Sequence, residues 1–174
     1  MNIFIKTDRF ILREIEESDL DAMFQLDNDP EVHQYLGNNP INNKEQALAV
    51  IQFIRNQYQE NEIGRWAVVE KATNNFVGWS GFKLITEPTN EHVNYLDFGY
   101  RFIRSVWGNG YATECGLACM AYAKTFLKEY DIHAMADQRN IASKKVLEKI
   151  GFEATDTFVD QQIPCYWFDL KLDF

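Results

Sequence analysis

With 174 residues, 46% of them apolar and 25% charged, the chain has the length and balance of one folded domain, 1–174, and excludes disordered and fibrous classes. No window approaches the ~20 apolar residues of a bilayer span, and MNIFIKTDRF meets an acid too early for a secretory leader, so a cytoplasmic protein with no membrane partner is expected. A formal charge of −9 argues against a nucleic-acid partner, whose phosphates require a basic surface, and is compatible with a cationic substrate.

In chain order, RFILREI at 9–15 reads as a first strand. Ser18 then caps a helix with Leu20, Met23 and Phe24 on one face and Asp21 at the reciprocal capping position. Residues 27–43, with two prolines and a glycine, read as a loop. From Lys44 the stripe Ala47, Val50, Ile51, Ile54 and Tyr58 defines a second helix that ends before Ile63 and Gly64. Trp66–Glu70 and Phe76–Ile85 read as strands joined around Thr73, Asn74 and Asn75. Residues 86–94 are a polar break.

The central stretch follows. Leu96, Phe98, Tyr100 and Phe102 alternate with Asp97, Gly99, Arg101 and Ile103, as in a strand. From Tyr111 the period changes, and Cys115, Ala118, Cys119, Tyr122 and Phe126 form a helical stripe. Between them lies WGNG, 107–110, where glycine permits a sharp turn and a close ligand approach. The free N–H groups at the start of the next helix suit an anion such as phosphate. Beyond it, Ile132–Ala136 is a short strand, Asn140 opens a helix that Gly151 closes, and 152–159 and 165–172 supply two closing strands. The class is α/β or α+β with a mixed sheet. Cys115 and Cys119, on successive turns, read as small apolar core residues. No cysteine or histidine spacing suggests a metal.

The stretch GYRFIRSVWGNGYATE resembles motif A of the GNAT superfamily of acyl-CoA-dependent N-acetyltransferases, particularly its ribosomal-protein N-terminal acetyltransferase (RimJ/RimL-like) branch. TDRFILREIEESD, NDPEVHQYLG, WAVVEKATNNFVGWSGF and NIASKKVLEKIGF, the last similar to motif B, continue the resemblance in order over most of the chain. The pattern departs at Ser105, where the superfamily has Gln or Arg; Arg104 stands one place earlier. The resemblance implies a twisted, mostly antiparallel sheet of about six or seven strands with helices on both faces. That sheet would be splayed between the central strand 93–103 and strand 132–137.

It also implies residue roles. Main-chain groups of Phe102, Ile103 and Arg104 would pair with the pantetheine of acetyl-CoA, the acyl donor, and Gly108, Asn109, Gly110, Tyr111 and Ala112 would surround its pyrophosphate. Asn140 would hold the pantetheine arm, and Ser143, beside the thioester sulfur, would protonate the leaving thiolate. Lys144 and Lys145 would meet phosphates or remain solvated. Trp107 is expected to pack under the turn, and Glu114 to be a surface acid that compensates the helix dipole.

An amine acceptor with a pKa of about 10.4 must lose a proton before it attacks. Asp97 is the best-placed acid, with a salt bridge to Arg101 as the equal alternative. Glu70 and His92 are weaker candidates, and a water chain is another. The expected activity is direct acetyl transfer to a primary amine, on a protein N-terminus or a small molecule, by a monomer or homodimer. Substrate choice would lie in 27–43, 86–94 and 158–166. Two rivals are a non-catalytic acyl-CoA sensor and a nucleotide or S-adenosylmethionine enzyme. For the latter the glycine turn comes too late in the chain and lacks a GK[ST] ending.

Overall fold

A computed structural model of the chain describes residues 2–171. Eight strands form one sheet in the order β1-β2-β3-β4-β5-β6-β8-β7: β1 Ile3–Lys6, β2 Phe10–Arg13, β3 Arg65–Glu70, β4 Asn75–Ile85, β5 Tyr95–Phe102, β6 Ile132–Asp137, β7 Phe152–Asp160 and β8 Ile163–Leu170. All neighbours are antiparallel except β5 and β6. That parallel pair is in register only at Leu96/Ile132 and Asp97/His133, although β5 runs on to Phe102 and β6 to Asp137. The strands part beyond this point, and the gap between them is the splay.

Four helices cover the sheet: α1 Leu20–Asn28, α2 Lys44–Asn61, α3 Tyr111–Phe126 and α4 Ile141–Lys149. Met23, Leu26, Ile51 and Ile54 of α1 and α2 pack with Ala67 and Trp79 on one face. Cys115, Cys119, Met120 and Leu147 of α3 and α4 pack with Leu12, Phe82, Phe98 and Phe168 on the other. Each fully buried large aliphatic or aromatic side chain contributes about 1.5–3 kcal/mol, so both layers are held chiefly by apolar burial.

The first strand was not anticipated. β1 is an edge strand that turns back onto β2 through Thr7, whose N–H bonds to Phe10 O at 3.0 Å, and it is held by Phe4 stacking on Trp66 at 5.1 Å. Ser18 is not the cap of the first helix. A single 3₁₀ turn, Glu17–Asp19, leads into α1, and the Asp19 carboxylate accepts from Glu16 N at 2.9 Å and from both terminal nitrogens of Arg13 at 2.7 Å. A charged bidentate partner one strand away outweighs a serine hydroxyl. Asp21 pairs instead with Lys44 at 2.6 Å.

The buried side of α3 is rotated about one residue from the expected stripe, to Cys115, Gly116, Cys119, Met120 and Ala123, and leaves Phe126 exposed. Gly116 sets this rotation, because a Cβ there would lie 2.8 Å from Ile150 Cδ1; its absence lets α4's end close on α3. Among the described residues no helix is long and apolar enough to cross a membrane.

Candidate active site

Successive main-chain groups of a strand point to opposite neighbours, which decides what β5 presents to the gap. Leu96 N–H donates to Asp131 O at 2.9 Å, toward β6, and Ile103 N–H donates to Val77 O at 3.0 Å, toward β4. The even-numbered residues therefore face β6, and past the last paired residue the main chain of Tyr100 and the N–H of Phe102 open into the gap. Phe102 O is taken by the Trp107 indole N–H at 2.8 Å. Ile103 O accepts from Val106 N and Arg104 O from Trp107 N, each at 3.2 Å. The Arg104 guanidinium lies 3.5 Å from Asp29, against the 27–43 segment.

Gly108 and Gly110 both have φ +76°, the left-handed region that favours glycine. A Cβ at Gly108 would meet nothing within 4 Å, so the backbone there is open to a ligand rather than crowded by protein. The first helical bond of α3 runs from Glu114 N to Gly110 O at 3.0 Å, and the amides before it have no carbonyl one turn back to bond.

The turn is clamped from behind. Asn109 Nδ2 donates to Val106 O and Trp107 O, and Arg9 Nη1 donates to Asn109 O at 3.0 Å. Arg9 Nε and Thr7 Oγ1 each reach Glu114 at 2.6 Å. Burial opposes ionisation of Glu114, but these bonds outweigh it and hold the carboxyl below its ordinary value. Glu114, an acid in the first turn of α3, also tethers the turn between β1 and β2 to that helix. Tyr111 lies edge-on to Phe10 at 4.6 Å with its hydroxyl bonded to Glu70, which Thr73 also engages, so Glu70 anchors the turn. A groove of about 670 Å³ runs past Gly110, Thr113 and Leu117 between Lys6 and Lys149.

Across the gap, Asn140 caps α4 by accepting from Ser143 N at 3.0 Å, while its Nδ2 has no partner among the described residues. The Tyr100 hydroxyl, from β5, donates to Ser143 Oγ at 3.1 Å and leaves the serine proton free to be given elsewhere. Burial pushes the Tyr100 phenol up and so keeps it protonated. Lys144 Nζ lies 4.5 Å over the Tyr166 ring and 3.9 Å from Glu148.

Asp97 is on the opposite face of the sheet, in register with Lys83 and His133. Burial pushes its carboxyl up to about 6, against the pull of Arg65 and Lys83. Its ion-pair partner is Arg65, at 3.5 Å, and not Arg101. Four residues along a strand span about 13 Å, so same-face spacing could not bring Arg101 to Asp97. Arg101 reaches α1 instead, with Nη1 2.5 Å from Asp27 Oδ1. Next to Asp97, a cavity of about 270 Å³ is lined by Asp27, His33, Phe53, Arg65, Trp79 and Arg101 among others. His92, by contrast, stacks on Trp167 at 4.8 Å beside His133, whose Nδ1 is 2.7 Å from Asp169, an aromatic packing role.

The family model for the acetyltransferase (GNAT) domain matches residues 9–153. This chain belongs to the GNAT acetyltransferases. It is 32% identical over 149 residues to the uncharacterized N-acetyltransferase YoaA of Bacillus subtilis (strain 168), covering 86% of this chain and 82% of the relative. Among solved folds, the ribosomal L7/L12 alpha-N-protein acetyltransferase RimL in complex with coenzyme A matches with TM-score 0.78 at 19% identity, over 97% of this chain and 98% of that one. The spermidine N-acetyltransferase of Vibrio cholerae, in complex with CoA and spermine, matches with TM-score 0.74 at 17% identity, over 93% and 95%.

In this GNAT acyltransferase the structure gathers the anticipated Phe102, Gly108–Ala112, Asn140, Ser143 and Lys144 around the gap and the start of α3. The Ile103 main chain is consumed by its own fold, and Trp107 stands half exposed at 48% rather than packed under the turn. Tyr100, bonded to Ser143, and Arg65, Trp79, Asp27 and His33, which line the cavity on the other face, were not among the anticipated residues. For Tyr100 a signal existed: it sits on the alternation that faces α4, two places before the strand's end.

Proposed function

We propose that this GNAT enzyme transfers an acetyl group from acetyl-CoA directly to a primary amine. The observation that carries the reading is the unpaired main-chain edge of β5 opening beside the glycine-turned start of α3, with Ser143 facing it from α4. Acetyl-CoA supplies an acyl group activated as a thioester. Tyr100 and Phe102 offer main-chain groups to its pantetheine as a neighbouring strand would. The amides of Gly108–Ala112 receive the pyrophosphate, and Lys6, Lys149 and Lys144 are the cations within reach of phosphates. Asn140 Nδ2 is a spare donor for the same arm.

Asp97 takes the proton of the incoming ammonium on the α1/α2 face. Ser143 gives its proton to the departing sulfur on the α3/α4 face and regains one, by way of solvent, from the amine nitrogen as the amide forms, while the Tyr100 hydroxyl stays protonated and donates to Ser143 Oγ. The proton taken and the proton given are thus handled on opposite sides of one sheet. Direct transfer is favoured because all three cysteines are buried and free, and burial pushes Cys119 up to about 12 and Cys165 up to about 11, which suppresses the thiolate a covalent route needs. Unpaired thiols also suit a cytoplasmic setting.

The acceptor classes named for the neighbours, a ribosomal-protein α-amine and spermidine, bracket the acceptors to be tried. Calorimetry with acetyl-CoA followed by thiol release across an amine panel tests the proposal. Binding with thiol release for an amine is the expected result. Binding without release for any amine would indicate an acyl-CoA sensor, and absence of binding would overturn the reading.

A further inference from the structure

The chain carries a net charge of −9, yet the cavity on the α1/α2 face is lined by two guanidiniums, Arg65 and Arg101, against one carboxylate, Asp27. Asp97, ion-paired with Arg65, and Lys83, whose Nζ lies 5.3 Å over the ring of the lining Phe53, bring the count to three cations against two carboxylates. Both guanidiniums lie over the Trp79 ring, at 4.6 and 5.4 Å from its centre. Neither is satisfied by its ion pair. The Nε of Arg65 and the Nε of Arg101 are buried with no hydrogen-bond partner, and so are both ring nitrogens of His33, which is 6% exposed and whose Nε2 stands 3.8 Å from Asp27 Oδ1, beyond hydrogen-bond reach. Burial and the neighbouring Arg101 push His33 down, so its ring stays neutral and adds no positive charge.

Buried donors in native proteins are almost always met, so two unmet guanidinium Nε–H groups and the one N–H of the neutral His33 ring, all beside one cavity, point to an absent acceptor. Guanidinium forks match a carboxylate in shape and charge. A polyamine would place further ammonium groups against two guanidiniums, and a cavity of about 270 Å³ is below the ~300–1,000 Å³ range of drug-sized ligand sites. Trp79 and Phe53 give the same cavity an apolar wall.

We propose that the acceptor is a free amino acid, whose carboxylate is received by Arg65 and Arg101 while its amine faces Asp97 and the gap. This rests on the acetyl-transfer reading above and narrows its substrate class. It makes Arg65, Arg101, His33 and Trp79 the residues that set specificity, and it runs opposite to what the overall charge suggests.

Thiol release from acetyl-CoA is measured with leucine, methionine, phenylalanine, β-alanine and 4-aminobutanoate, each beside its carboxamide, and with spermidine and a neutral tripeptide. The acid of at least one pair is expected to exceed its carboxamide and both controls in kcat/KM by roughly ten- to hundredfold. In the double variant Asp27→Asn/Arg101→Gln, which removes both charges of the buried pair together, that preference shrinks to within about threefold while acetyl-CoA affinity is retained. Carboxamides, spermidine or the tripeptide acetylated as well as the acids would overturn the proposal. If acetyl-CoA binds but nothing is acetylated, the transfer reading fails, and the cavity is judged by melting temperature alone. Acids that raise it more than their carboxamides in the native chain, and not in the double variant, uphold the anion site; equal shifts sink it.

Discussion

On the α3/α4 face, the groups aimed at the gap are, apart from lysines at its margins, neutral: main-chain N–H groups of β5 and the glycine turn, one amide and two hydroxyls. On the α1/α2 face they are ionic, two guanidiniums and two carboxylates around an indole. The first set costs little to hold ready, because backbone donors are fixed by the fold itself and lose no side-chain entropy. The second is held by charge against charge in partial burial, where an ion removed leaves its partner uncompensated. On the proposed reading, the side that would meet an invariant donor is therefore built from backbone, and the side that would choose an acceptor is built from side chains.

The sharpest way to break this contrast is to remove one ion. Arg101→Ala leaves Asp27, with a side chain 3% exposed, facing only the neutral His33 ring at 3.8 Å, and should lower unfolding free energy by about 3–5 kcal/mol in urea denaturation. Loss under 1 kcal/mol would mean that the acceptor side is not held by charge. Ser143→Ala should lower kcat about a hundredfold with little change in acetyl-CoA affinity, and Tyr100→Phe should cost less, because it stands one hydroxyl behind. Gly110→Val forces a branched residue to φ +76° and should weaken acetyl-CoA binding roughly tenfold to a hundredfold in calorimetry. Unchanged affinity would remove the backbone account of the donor side.

Asp97 accepts a proton only when ionised, so kcat/KM should fall about tenfold per pH unit below about 6, and Asp97→Asn should abolish that limb. Its effect on stability has the opposite slope. The carboxyl is raised in the fold above its unfolded value of about 3.9, so its contribution is greatest below that value and is lost as pH climbs to about 6. Denaturation between pH 4 and 6 should show this slope flattened in Asp97→Asn. The smallest effect is expected from Arg104→Ala, an exposed partner 3.5 Å from Asp29, at under about 1 kcal/mol.

The same contrast explains what could be read from the chain beforehand. The donor side lies mostly in one run, 100–112, with the segment 140–144 opposite it, so periodicity, glycine and capping chemistry expose it. The residues of the cavity proposed for the acceptor, among them 27, 33, 53, 65, 79 and 101, are brought together only by strand pairing and by α1 and α2 folding over the sheet. No local pattern marks Arg65 or Trp79 as anything but strand residues. Charge pairing misled in the same way: Asp97 and Arg101 are close in sequence, while the real partners, Arg65 and Asp27, are 32 and 74 residues away. β1 escaped notice because four residues at an edge carry too few alternations to declare a period.

The chain has four tryptophans, and three of them, Trp66, Trp79 and Trp167, are at most 5% exposed. Trp107 alone meets solvent, tied by its indole to Phe102 O at the threshold of the glycine turn. Iodide, a collisional quencher that reaches only surface rings, should therefore darken one fluorophore in this molecule, and the loss of that quenching on adding acetyl-CoA would report occupancy without any attached dye.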